Sequence, residues 1–379
     1  MGDANAMRPV GGDLLTPLWR SPGRLPKMSL HQWELLLGQA RQARLISRLA
    51  QHCIDLNAVN SVPEGAWRHL DGALRWVARQ HHEVQWEVDC IQRALINVDS
   101  PIVLLKGAAY VIGELPAGRA RLFSDIDIMV LPKRLNEVEG ALFGSGWISE
   151  ERDAYNERYY RQWMHEIPPM KHVQRQTVID VHHTITPPTS RFKVDGAKLF
   201  DRIVAVDEER RLFVLAPPDM VLHSAVHLFQ EGEFSHGLRD LLDLRDLLAH
   251  FAQQADFWPG LFDRADELGL QIPLFHALFH IRRLFGVAEP AEWTERVNRL
   301  SPHAPARTAM AWLLGLALRP DHPSCNSRWT GLARWLLYVR SHALRMPFHL
   351  MVPHLVRKAW MLYFSKNKTA TAVPDQTPH

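Results

Sequence analysis

The residues best placed to do chemistry are Asp125 and Asp127, in the run Ser124-Asp125-Ile126-Asp127-Ile128. Alternate side chains of a β-strand project to one face, so the two carboxylates point together while Ile126 and Ile128 point the other way, into a core. Two carboxylates at that spacing make a clamp for a divalent cation. A third, Asp180, lies in the apolar run Val178-Ile179-Asp180-Val181-His182, on the same face as Val178 and His182. Like charges on buried strands repel, and without a counter-charge such a cluster is costly. That cost favours a functional reading over a packing one.

Several elements must position these groups. Residues 102–105 form a short apolar strand that Lys106-Gly107 turns into a helix-like segment, 108–115. After Pro116 and Gly118 comes the acidic strand, 125–131. Pro132 opens a helix through Phe143, a position where proline costs no hydrogen bond, and Lys133 and Arg134 read as its solvated start. From 159 to 186 the pattern is β. Arms 162–173 and 177–185 flank the polar break Gln174-Arg175-Gln176 as a hairpin, and Pro168-Pro169 confine the first arm to an edge or bulge.

Both flanks read as helical. Ser29 and Gln32 form a capping box ahead of Trp33, Leu37, Ala40, Leu45 and Leu49. After a break at 57–63, Trp67, Leu70, Leu74, Val77, Val84, Val88, Ile91 and Leu95 keep one face apolar. Beyond Pro217-Pro218, Asp219 can cap a helix carrying His223 and His227. Those two have metal-ligand spacing but no evident third ligand, so packing is the preferred role. A leucine-rich helix at 238–251 places Asp240, Asp243 and Asp246 near one face, paired with Arg239 and Arg245. Helical patterns continue at 261–285 and 306–318. The fold class is α+β, a small mixed sheet flanked by helical regions, with boundaries at 1–100, 101–216, 217–320 and 321–379.

The chain has 379 residues, beyond the usual reach of one hydrophobic core, with 46% apolar and 22% charged residues. Cys53, Cys90 and Cys325 show no metal or disulfide spacing, which points to a reducing compartment. The amino terminus lacks a secretory pattern, and no run approaches the roughly 18 apolar residues of a membrane span. A cytoplasmic protein without a transmembrane segment is expected. Net charge is +3, yet 322–374 holds eight Lys or Arg and no acid, which leaves the rest at −5. In that segment Trp329, Trp335, Tyr338, Phe348, Trp360, Tyr363 and Phe364 interleave with Arg328, Arg334, Arg340, Arg345, Arg357 and Lys358. Capping of the helical region is the leading role, and weak contact with RNA or an anionic membrane surface is the alternative.

The run LLKGAAY from Leu104 to Tyr110, Arg121, the acidic DIDIMV and the later IDVHH resemble the polymerase-β-like nucleotidyltransferase superfamily, in its uncharacterised nucleotidyltransferase branch. The resemblance covers about 102–183 and continues into 223–248. It implies that Asp125 and Asp127 hold two Mg²⁺ ions, with Mn²⁺ as a substitute, and that Asp180 shares one and helps to deprotonate or orient the acceptor. Magnesium prefers oxygen ligands, which suits three aspartates better than the histidines. Gly107 would let the backbone approach the triphosphate, with Lys106 and Arg121 as its cations. The superfamily's Gly-Ser at this turn is Gly107-Ala108 here, and Ser124, just ahead of Asp125, stands with Lys106, Gly107, Ala108 and Arg121 among the nucleotide-binding candidates. His182, beside Asp180, would be a supporting hydrogen bonder.

The expected reaction moves a nucleotidyl group from a nucleoside triphosphate to an acceptor hydroxyl or phosphate, with release of pyrophosphate. The acceptor is a small molecule, a glycan precursor, a protein or an RNA end. The alternatives are a nucleotide-binding scaffold without turnover and, last, a D-x-D glycosyltransferase. Those enzymes place an α/β half before the motif, whereas the first hundred residues here read as helical.

Overall fold

The computed structural model describes residues 12–347 except 150, 152 and 231, together with 349 and 351. The basic-aromatic positions Phe348, Arg357, Lys358, Trp360, Tyr363 and Phe364 lie outside the described residues.

The amino-terminal layer is helical as the sequence predicts: α1 (Leu30–Gln42), α2 (Ile46–Asp55) and α3 (Glu64–Ala94). Ser29 starts α1 with both halves of a capping box, its backbone N–H donating to Gln32 Oε1 at 2.9 Å. In α3 the stripe Leu70, Val77, Val84, Val88 and Ile91 is buried. Glu87 is buried on the same helix, where it accepts two hydrogen bonds from Arg175 and one from Thr177.

The central region runs β1 (Ile102–Leu104), α4 (Lys106–Ile112), β2 (Ile126–Met129), α5 (Leu135–Gly144), β3 (Trp147–Ser149), α6 (Ala154–Trp163), β4 (Met170–His172), β5 (Val178–His182), α7 (Gly196–Phe200), β6 (Val204–Asp207) and β7 (Leu212–Val214). The strands form one mixed sheet in the order β3-β4-β5-β2-β1-β7-β6. Strands β2 and β5 are parallel, as are β1 and β7, while the other neighbours are antiparallel.

Three expectations about local structure need correction here. Strand β2 begins at Ile126, so Asp125 leads into the strand instead of opening it. The first hairpin arm is only β4, because 159–163 belong to α6, where Tyr159 and Trp163 meet edge to face one turn apart with centroids 5.8 Å from each other. Strand β4 is also no edge: it pairs with both β3 and β5, and Pro168-Pro169 sit ahead of it, where a missing N–H breaks no ladder bond.

The carboxy-terminal layer holds α8 (Pro217–Gln230), α9 (Gly237–Phe251), α10 (Phe257–Leu268), α11 (Gln271–Phe285), α12 (Thr294–Arg299), α13 (Ala304–Ala317) and α14 (Thr330–Arg345). Gly269, at φ 68°, ends α10 and divides the stretch read as one helix at 261–285. Asp219 lies inside the first turn of α8, not at its cap. It is fully buried and grips Arg264 of α10 with two hydrogen bonds, of 2.6 and 2.9 Å. Helix α14 packs on α13 and α8, and Arg340 braces it by donating to the Phe229 carbonyl at 2.8 Å. One continuous apolar core runs from Leu15 to Leu337. Among the described residues no helix is long and apolar enough to cross a membrane.

Candidate active site

Parallel pairing of β2 with β5 sets Asp127 opposite Asp180 and Met129 opposite His182. Registered residues of neighbouring strands project to the same face, so the two carboxylates stand together. Asp127 is 5% exposed. Its Oδ1 accepts from Lys106 Nζ at 2.8 Å and lies 3.0 Å from His182 Nε2. Burial opposes ionisation of Asp127, but the Lys106 and His182 contacts outweigh it and hold the carboxyl well below the usual carboxylate range.

Asp180 has the opposite balance. Burial, then the charges of Asp127 and Glu166, push its carboxyl up to about 8. Its Oδ1 is buried without a hydrogen-bond partner. Asp125, half-buried at the rim, adds to the same repulsion, and its Oδ1 accepts from Ser124 Oγ at 2.8 Å. A buried carboxylate oxygen with no hydrogen-bond partner among the described residues fits a hard divalent cation such as magnesium, and Asp125, Asp127 and Asp180 are the residues that could hold one.

The turn after β1 sets the cationic side. Lys106, first residue of α4, takes φ 45°, a left-handed conformation that costs a non-glycine residue about 1–2 kcal/mol. Next to it, a Cβ on Gly107 would collide with the Arg121 guanidinium and meet the Phe123 ring at 2.6 Å. Glycine is needed here so that those side chains can pack over the turn. Ala108 is 1% exposed. Arg121 is buried and donates through Nε to Asp243 Oδ2 at 2.7 Å, with its guanidinium over the rings of Tyr110 and Phe123.

The aspartates of α9 form ion pairs, with partners beyond those read from spacing. Arg239 binds Asp240 and Arg245 binds Asp246, each within 2.7 Å, as the sequence suggests. Asp243, however, joins Arg48 of α2 at 2.6 Å to Arg121. This buried network ties the amino-terminal layer, the α4–β2 connection and α9 together.

Four residues around the site escape the sequence reading. His165 and Glu166 arrive through an isolated bridge between Glu166 and His182. Tyr160 of α6 lies within electrostatic reach of Glu166 and Asp180, and burial first pushes its hydroxyl up to about 12. Arg44, in the α1–α2 connection, has φ 52° and is half-buried. Burial and then Arg239 pull its guanidinium below the usual range, Asp125 is within reach of its charge, and no ion pair holds it among the described residues. The one signal for His165-Glu166 was a charged pair inside an otherwise apolar stretch. His223 of α8 is buried, with its ring 6.3 Å from that of His227, and feels Lys106, His182 and Asp127.

A cleft of about 510 Å³ between α3 and the β6–β7 turn is lined by Trp86, Arg93, Arg210 and Arg211 and contains none of these carboxylates. A smaller one, about 110 Å³, opens on Ser124 and Asp125.

Comparison with curated proteins finds no match. A family model described as uncharacterised nucleotidyltransferase matches residues 29–286, two-thirds of the chain and all of the site just described, and the chain belongs to that family.

Proposed function

We propose that the chain transfers the nucleotidyl group of a nucleoside triphosphate to an acceptor hydroxyl or phosphate and releases pyrophosphate. The observation that carries this reading is the registered pair Asp127 and Asp180, one held ionised and the other with a buried oxygen lacking a partner. Asp125, Asp127 and Asp180 would hold Mg²⁺, or Mn²⁺ in its place. When bound, the metal supplies positive charge for the attacking and leaving oxygens.

The chain's own groups divide the remaining work. Asp180, whose Oδ1 has no hydrogen-bond partner among the described residues, accepts the acceptor's proton as the new O–P bond forms and the bond to the pyrophosphate leaving group breaks. Lys106 holds Asp127 in place from the phosphate side. Arg44, half-buried with no ion pair among the described residues and within electrostatic reach of Asp125, is a cation that a triphosphate tail could meet. Arg121 adds positive potential, but its Nε is already taken by Asp243. Its contribution is to shape the turn under Gly107.

Incubation with each labelled nucleoside triphosphate, Mg²⁺ or Mn²⁺ and cell extract tests this reading and identifies the acceptor. Label should move to a discrete acceptor with stoichiometric pyrophosphate release. Metal-independent nucleotide binding with no transfer from any of the triphosphates would instead support a scaffold without turnover.

A further inference from the structure

His165, Glu166 and His182 meet beside the acidic face, and nucleotidyl transfer leaves this grouping without a role. One ligand atom from each lies within 4.8 Å of the others. His182 is fully buried, and its Nε2 is engaged by Asp127 Oδ1 at 3.0 Å, so Nδ1 is the ring nitrogen left to face a ligand. That Nδ1 faces Glu166 Oε2 at 3.4 Å, yet no hydrogen bond joins them. His165 brings a second buried imidazole, its ring 5.1 Å from that of His182, its Nε2 4.0 Å from Glu166 Oε2 and its Nδ1 without a partner. Buried polar atoms are nearly always satisfied. Here two imidazoles and a carboxylate converge, and the Nδ1 atoms of both rings have no hydrogen-bond partner among the described residues.

We propose that His165, Glu166 and His182 bind one divalent transition metal, zinc by their chemistry, at a centre separate from the aspartate set. Two imidazole nitrogens and one carboxylate oxygen form a donor set that zinc and cobalt accept and magnesium does not favour. Asp127 then plays the supporting part common behind metal-bound histidines, accepting the other ring N–H and fixing tautomer and orientation. Charge permits it: Asp127, Glu166 and Asp125 all act on Asp180 as like charges, so carboxylates crowd this face. The zinc would set the position of His182 and, through it, of Asp127.

The test uses the untagged full-length chain, stripped by chelator and titrated with Co²⁺ in excess Mg²⁺, with visible d–d absorption as the readout. One Co²⁺ per chain is expected, displaced by Zn²⁺. Glu166→Gln and His165→Ala should each weaken binding by at least about 10-fold, while Asp125→Asn should leave it unchanged. Circular dichroism checks each fold, and the near-isosteric Glu166→Gln decides if His165→Ala unfolds. No cobalt absorption in the wild-type chain, or binding that survives both ligand variants, overturns the proposal. The assay contains no nucleotide, so its failure and failure of the transfer reading are distinguishable.

Discussion

Asp127 and Asp180 are registered partners on parallel strands, yet their environments drive them apart: Lys106 and His182 both contact Asp127, while Asp180 Oδ1 has no hydrogen-bond partner among the described residues. Adjacent carboxylates with separated proton affinities are how one site keeps one group ionised and another ready to exchange a proton. The remaining expectations follow from this pair and from the network behind it.

Stability should depend on pH and metal together. A carboxyl raised in the folded state stabilises the fold while protonated, so the contribution of Asp180 is complete below its ordinary 3.8 and is lost as pH rises through about 8. A cation that replaces the proton removes that loss. Millimolar Mg²⁺ should therefore raise the melting temperature by several degrees at pH 8 and little at pH 5, and Asp180→Asn should abolish the difference. An equal Mg²⁺ effect at both pH values contradicts the assignment.

Asp180→Ala should reduce turnover by on the order of 10²-fold or more, the range for loss of a general base, and change triphosphate affinity much less. Single-turnover kinetics beside nucleotide titrations separate the two. A loss confined to affinity argues against an acceptor-side role.

Gly107→Ala sets two effects against each other. Alanine favours a helix by about 1 kcal/mol over glycine, but its Cβ would run into Arg121, which is anchored on Asp243, and into Phe123. The collision should win, with net destabilisation in urea unfolding. A stabilised variant would show that the turn can shift.

Asp243→Ala leaves the buried guanidiniums of Arg48 and Arg121 without their shared counter-ion. The cost should be about 3–5 kcal/mol by denaturant unfolding. Arg48 also pairs with Asp246, and Arg121 lies 4.0 Å from Asp240, so a change below about 1 kcal/mol would mean that these two aspartates suffice as counter-ions.

Much of the site was legible because its chemistry is local. The run at Ser124–Ile128 and the later Val178–His182 each carry their own alternation, and the capping box at Ser29 and the turn near Arg175 need only a few residues. What stayed hidden depends on distance or brevity. Arg48 and Arg121 reach Asp243 across 195 and 122 positions, which no periodicity encodes. Strands β3 and β7, with three residues each, are too short to show alternation. Tyr159, Tyr160 and Trp163 have side chains typical of strands, but they lie in α6, where Tyr159 and Trp163 meet one turn apart. His165 and Glu166 enter only through the bridge to His182.

The most direct measurement compares wild type with Asp127→Asn for Mg²⁺-dependent transfer of label from a nucleoside triphosphate, with pyrophosphate release followed in parallel. The amide side chain would keep the shape but lose the charge that Lys106 and His182 now contact. The expected result is a folded variant whose transfer falls by on the order of 10³-fold, with wild-type transfer abolished by chelation of Mg²⁺. Full transfer by Asp127→Asn, or wild-type transfer indifferent to chelation, would contradict the assignment of this carboxylate centre to nucleotidyl transfer.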